Sequence, residues 1–71
     1  MSRNRSNLGL LIKEERESQG LSQRKLALMI GMHNSHLGRI EAGKCNTSLD
    51  TISRISSALG VDFTITFSRN K

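Results

Sequence analysis

The stretch from Leu21 to Gly43, LSQRKLALMIGMHNSHLGRIEAG, constrains the fold more than any other, because it carries two helix starts and two helix stops in close succession. Ser22 is suited to an N-cap, its hydroxyl able to accept from the orphan N–H groups of a first turn. Leu21 and Leu26 stand at the spacing of a hydrophobic staple, although Lys25 occupies the place where a glutamate would complete a capping box. Gly31 supplies a left-handed residue to end the first helix, Met32 and His33 lead at once into a second, and Gly43 ends that one. So short a connection makes the two helices cross steeply, which is helix-turn-helix geometry.

The second helix divides by face. At 3.6 residues per turn, Leu37, Ile40 and Glu41 share one side. Ser35, Gly38, Arg39 and Ala42 share the other, with Asn34 beside them at the N-terminal end. One side is apolar enough to pack, and the other offers hydrogen-bonding groups outward.

Leu21-Ser22-Gln23, Leu26-Ala27, Gly31, Leu37, Arg39-Ile40-Glu41 and Gly43-Lys44, in this order and spacing, resemble the lambda-repressor-like (Cro/XRE-type) DNA-binding family. Its members usually read L-S-Q-x-x-L-A-x-x-x-G and then I-S-R-I-E-x-G-K. The match extends from about Leu8 to Val61. The resemblance implies an all-α bundle of four helices whose second motif helix enters a major groove of duplex DNA. Carried across position by position, base reading falls on Asn34, Ser35 and Arg39, with Gly38 lining the same face. Asn34 suits an adenine edge and Arg39 a guanine edge, each good pair discriminating by ~1–3 kcal/mol.

Gln23 matches the family glutamine whose amide bonds a phosphate and braces the reading helix. Lys44, Asn46 and Thr47 would add phosphate contacts, and Arg24 or Lys25 further ones. The resemblance also pairs Arg16 with Glu41, holding the first helix to the third. On the reading helix, two positions depart from the family pattern. Relatives often carry a longer side chain where Gly38 stands, so this face either makes fewer contacts or lets the backbone approach the groove. His36 is the other, and it either contacts phosphate or is solvated.

A chain of 71 residues is one domain, and a single core of that size is worth only ~3–5 kcal/mol, so a second subunit would help. The 11 Lys+Arg against 6 Asp+Glu give a net charge of +5, which favours a polyanionic partner, nucleic acid before an anionic membrane. Its only two aromatic residues, both Phe and both near the C-terminus, argue against a stacking platform for single strands and leave duplex DNA as the target. No apolar run approaches the ~20 residues of a membrane span and no leader pattern is present, so a soluble, cytoplasmic protein is expected. The single cysteine fits a reducing compartment.

Residues 1–6, with Arg3 and Arg5, read as a flexible basic arm: either a frayed terminus or a segment that orders on phosphates or in a minor groove. The domain proper is expected over 7–60. Asn7 is a candidate cap for a helix reaching Gln19, with Leu8, Leu11 and Ile12 buried, Arg16 on the same side and Gly20 as the stop. The next helix, Gln23 to Ile30, buries Leu26, Ala27 and Ile30. Leu28 and Met29 stand where relatives are polar; they are either scattered surface residues or, with Met32, a partner-binding patch. A fourth helix is capped by Ser48, carries a Leu49, Ile52, Ile55, Leu59 stripe and stops at Gly60.

Residues 61–71 read differently. Val61, Phe63, Ile65 and Phe67 alternate with Asp62, Thr64 and Thr66, a strand by period and composition. No other stretch offers it a partner, so the expectation is a C-terminal β-strand pairing across a twofold axis in a homodimer, as in the HipB-like antitoxins this ending resembles. The competing expectation is a tail packed on its own helices.

His33, His36 and Cys45 lack a fourth ligand at usable spacing, and no nucleophile-base set or phosphate-cradling loop is present. No metal, cofactor or enzymatic activity is therefore expected. The expected function is a dimeric, sequence-specific repressor on a palindromic operator, autoregulatory of its own operon. The alternative is an antitoxin whose main task is to hold a toxin protein.

Overall fold

A computed structural model describes the backbone of residues 3–62 and the side chains of residues 7–62. Four helices make up the fold: α1 (Arg3–Ser18), α2 (Gln23–Ile30), α3 (Asn34–Glu41) and α4 (Leu49–Leu59). No strand occurs among the described residues. The expected intersubunit strand lies, apart from Val61 and Asp62, outside them. None of these helices is long and apolar enough to cross a membrane.

Local signals set most of the boundaries. Ser22 Oγ accepts from the Lys25 N–H at 3.0 Å at the start of α2, and Ser48 Oγ accepts from the Thr51 N–H at 3.1 Å at the start of α4. Gly31 ends α2 in the left-handed conformation at φ 69°. The Met32 N–H then reaches back to the Ala27 carbonyl at 2.9 Å, satisfying an orphan acceptor of the last turn. One boundary differs from the expected one. α1 begins at Arg3, so Asn7 lies inside the helix and not at its cap. No glycine or proline interrupts residues 3–7, and nothing there breaks the helix once it is extended from the packed part of α1.

α1 packs on α3 and α4, and α2 packs on the same two helices. Between them lies one core of Ile12, Leu26, Ala27, Ile30, Leu37, Ile40, Ile52, Ile55 and Leu59. Leu8, Leu21, Met32, Cys45 and Ala58 are packed partly buried around it. Two residues expected in the core are on the surface: Leu11 and Leu49 are each 62% exposed. The helical period explains both. At about 100° per residue, Leu11 points roughly 100° away from the direction shared by Leu8, Ile12 and Arg16, and Leu49 about 90° from the centre of Ile52, Ile55 and Leu59. Buried in α1 alongside Ile12 is Gly9.

Side chains tie the helix ends to one another. Arg54 of α4 donates to the Ile30 carbonyl at the end of α2. Gln19, just past α1, donates to the Leu59 carbonyl at 2.7 Å, so the last turns of α2 and α4 are both closed from outside. The result is a rigid frame from which α3 presents one side.

Candidate nucleic-acid interface

Only Gly31, Met32 and His33 separate α2 from α3. His33 occupies the N-cap position with extended backbone, and its side chain makes no capping hydrogen bond. The first-turn N–H groups of α3 thus receive no cap from His33 at an exposed helix start, where the helix dipole favours an anion. α3 buries Leu37, Ile40 and Glu41 and exposes Asn34, Ser35, His36, Arg39 and Ala42, with Gly38 half-buried. This is the division of faces expected from its period.

Beneath that surface is an ion pair. Arg16 Nε donates to Glu41 Oε2 at 2.7 Å and Arg16 Nη2 to Glu41 Oε1 at 3.0 Å, a two-pronged contact between α1 and α3 with both residues buried. Arg16 Nη1 donates to the Leu21 carbonyl at 2.7 Å, so one guanidinium holds α1, the entry to α2 and α3 together. The hydrogen bond to Glu41 holds the Arg16 pKa above its usual value, against the opposing effect of burial and with lesser help from the charges of Glu41 and Glu17. A buried pair of this kind gains little over an apolar one, yet breaking it strands a charge, so its main effect is to fix orientation.

Glu41 has a second partner. Gln23 Nε2 donates to Glu41 Oε1 at 3.0 Å. Here the structure sharpens the reading of Gly38. That position is not an empty slot, because a Cβ built on it would lie 3.3 Å from Gln23 Oε1, 3.6 Å from Nε2 and 3.7 Å from Cδ. The Gln23 carboxamide covers the ground that a side chain at Gly38 would otherwise take.

Arg24 and Lys25 are exposed on the first turn of α2, and Lys44 and Asn46 are exposed with Thr47 half-buried in the loop after α3. Arg24 lies beside the start of α3, and Lys44, Asn46 and Thr47 follow its end in the chain. Met32 is half-buried while Leu28 is 73% exposed; both line an open depression of about 350 Å³ with Arg24, Ala27, Gly31, His33 and Asn34. Of the proposed dimerisation residues, Val61 is exposed, and Phe63, Ile65 and Phe67 lie outside the described residues.

Gly9 is the supporting residue that sequence reasoning missed. A Cβ there would stand 2.3 Å from the Ile40 carbonyl oxygen and 2.5 Å from that of Glu41, so α1 and α3 approach backbone to backbone at this point. A glycine on the buried side of a helix costs about 1 kcal/mol in propensity, and that cost is the signal that would have flagged it.

Two helices joined by a three-residue turn, with the second held from behind and bare in front, define a helix-turn-helix domain. The family model described as Helix-turn-helix (HTH_3) matches residues 12–65. The chain belongs to this Cro/XRE-type helix-turn-helix family.

Among its relatives, the Control protein C.BamHI of Bacillus amyloliquefaciens is 49% identical over 41 residues, covering 58% of this chain and 51% of that protein. The ImmF control region 10 kDa protein of Bacillus phage phi105 is 36% identical over 58 residues, covering 82% of this chain and 64% of that one. The chain thus spans between about half and two-thirds of these relatives. The crystal structure of the restriction-modification controller protein C.AhdI from Aeromonas hydrophila superposes with a TM-score of 0.82 at 33% identity, over 86% of this chain and 88% of that one.

Proposed function

We propose that this chain is a sequence-specific, double-stranded DNA-binding transcription regulator and not an enzyme. One observation carries the reading. Asn34, Ser35 and Arg39 project from the exposed side of a helix whose opposite side is fixed by the Arg16–Glu41 pair. A major groove admits one such helix, and the amide and guanidinium have the donor patterns that adenine and guanine edges require. Arg24, Lys44, Asn46 and Thr47 supply phosphate contacts on either side, with His36 on the helix itself and Gln23 beside it. The net charge of +5 and the relatives named as control proteins support the same reading.

The regulator acts as a homodimer, with residues 61–71 supplying a dimerisation strand and its tail. Two heads then read half-sites of a palindromic operator about 34 Å apart, and repression, including that of its own operon, follows from occupying the promoter. The antitoxin alternative has no observation in its favour.

Selection of bound duplexes from a random pool is the test. Enrichment of one inverted repeat is expected, with affinity falling on a log-log salt plot by about 0.9 per phosphate neutralised. No enrichment, or binding indifferent to salt, would overturn the assignment. Deleting Asp62 to Lys71 tests the dimer separately: a variant that still sediments as a dimer removes the strand from the account.

A further inference from the structure

We propose that Gly38 and Glu41 are positioning residues for DNA binding, both acting through the Gln23 carboxamide; the proposal rests on the DNA-binding reading above. Gln23 is the first residue of α2, yet its carboxamide lies across the middle of α3. Glu41 Oε1 holds it from below through the 3.0 Å bond to Nε2. Gly38 makes room for it from above, since any Cβ there would come within 3.3 Å of Oε1. Only the nitrogen of a carboxamide can donate to a carboxylate, so Glu41 also settles which way round the group sits.

One Nε2 hydrogen is committed to Glu41. The geometry presents the second hydrogen and Oε1 beside Gly38, one turn of α3 below Asn34, on the side with the reading groups. Gln23 therefore supplies, from the neighbouring helix, the polar side chain that α3 lacks at position 38. The buried carboxylate that locks α1 to α3 is the same one that aims this amide, so Arg16 bears on DNA binding through two intermediaries.

A double-mutant cycle separates this from a merely structural role. The probes are the duplex recovered by selection and a random-sequence duplex of equal length. Gly38→Ala pushes the carboxamide by a few tenths of an ångström, and is expected to lower affinity for the selected duplex about 3- to 10-fold when Gln23 is present. In a Gln23→Ala background the same change is expected to alter affinity by less than about twofold. Alanine is the better helix former, so Gly38→Ala should melt at the same or a higher temperature while binding more weakly, a divergence that loss of structure does not produce.

Side-chain NMR relaxation of the Gln23 NH₂ group in the free protein reads the Glu41 half directly: an ordered carboxamide is expected, loosened by Gly38→Ala. Equal losses of affinity in both backgrounds would mean that the new Cβ meets DNA itself, and would overturn the proposal alone. So would a mobile Gln23 carboxamide in the native chain, or no loss in either background. A native chain that enriches no duplex overturns the DNA-binding reading and takes this proposal with it.

Discussion

The carbonyl oxygen of Ile40 stands 2.3 Å from where a side chain on Gly9 would begin, so α1 and α3 touch backbone to backbone at that point. The obstacle is main chain, not the tip of a flexible side chain, and it can yield only if a helix moves. Gly9→Ala is therefore expected to destabilise the fold by about 1–3 kcal/mol despite alanine's better helix propensity. Chemical denaturation gives the value, and Leu11→Ala, at an exposed position of the same helix, is the control expected within about 0.5 kcal/mol of native. A Gly9→Ala chain as stable as the native one would disprove the close approach.

Removing one partner of the buried ion pair has a larger effect. Arg16→Ala leaves the Glu41 carboxylate buried without its charge partner and is expected to cost about 3–5 kcal/mol. At roughly 4–8 °C per kcal/mol for a domain this small, that is enough to unfold much of the population near physiological temperature. Arg16→Lys keeps the charge but cannot reproduce the two-pronged contact together with the Leu21 carbonyl bond, so its melting temperature should fall between the two.

The two serine caps provide a milder comparison. Ser22→Ala and Ser48→Ala each remove one acceptor for a first-turn N–H, and each is expected to cost about 0.5–2 kcal/mol in denaturant melts. Replacement by aspartate should restore most of that loss, because its carboxylate caps as well and suits the positive end of the helix.

On the DNA side, exposed side chains are expected to separate into two kinds. Arg39→Ala should weaken binding to the selected site by about 1–3 kcal/mol and broaden the sequences accepted at one base pair. Lys44→Ala should weaken selected and random duplexes alike and reduce the salt slope by about one. Both variants should melt like the native chain. Identical behaviour of the two variants on both duplexes would contradict the assigned roles.

How far the sequence could be read depended on whether the signal was local. Ser22, Gly31, Ser48 and Gly60 mark helix ends through hydrogen bonds and backbone angles confined to a few neighbouring residues, and the ends of α2 and α4 fall where they indicate. The buried face of α1 was harder. Leu8, Leu10, Leu11 and Ile12 crowd together, so apolar spacing alone could not say that Leu11 points outward and Gly9 inward. Contacts made by residues far apart in the chain left no local mark either. The bond from Gln23 to Glu41, the Arg54 contact with the Ile30 carbonyl and the Gln19 contact with that of Leu59 all depend on how the helices come together. Resemblance to the family supplied the Arg16–Glu41 pair, which spacing alone could not.

The side chains of Asn34, Ser35 and Arg39 are exposed, whereas those of Arg16, Gln23 and Glu41 are all engaged inside the bundle. The address that the molecule carries is thus written in side chains on which the scaffold does not lean. Retargeting should require new residues at those three positions only, and a library varied there should return chains that fold alike while choosing different sites.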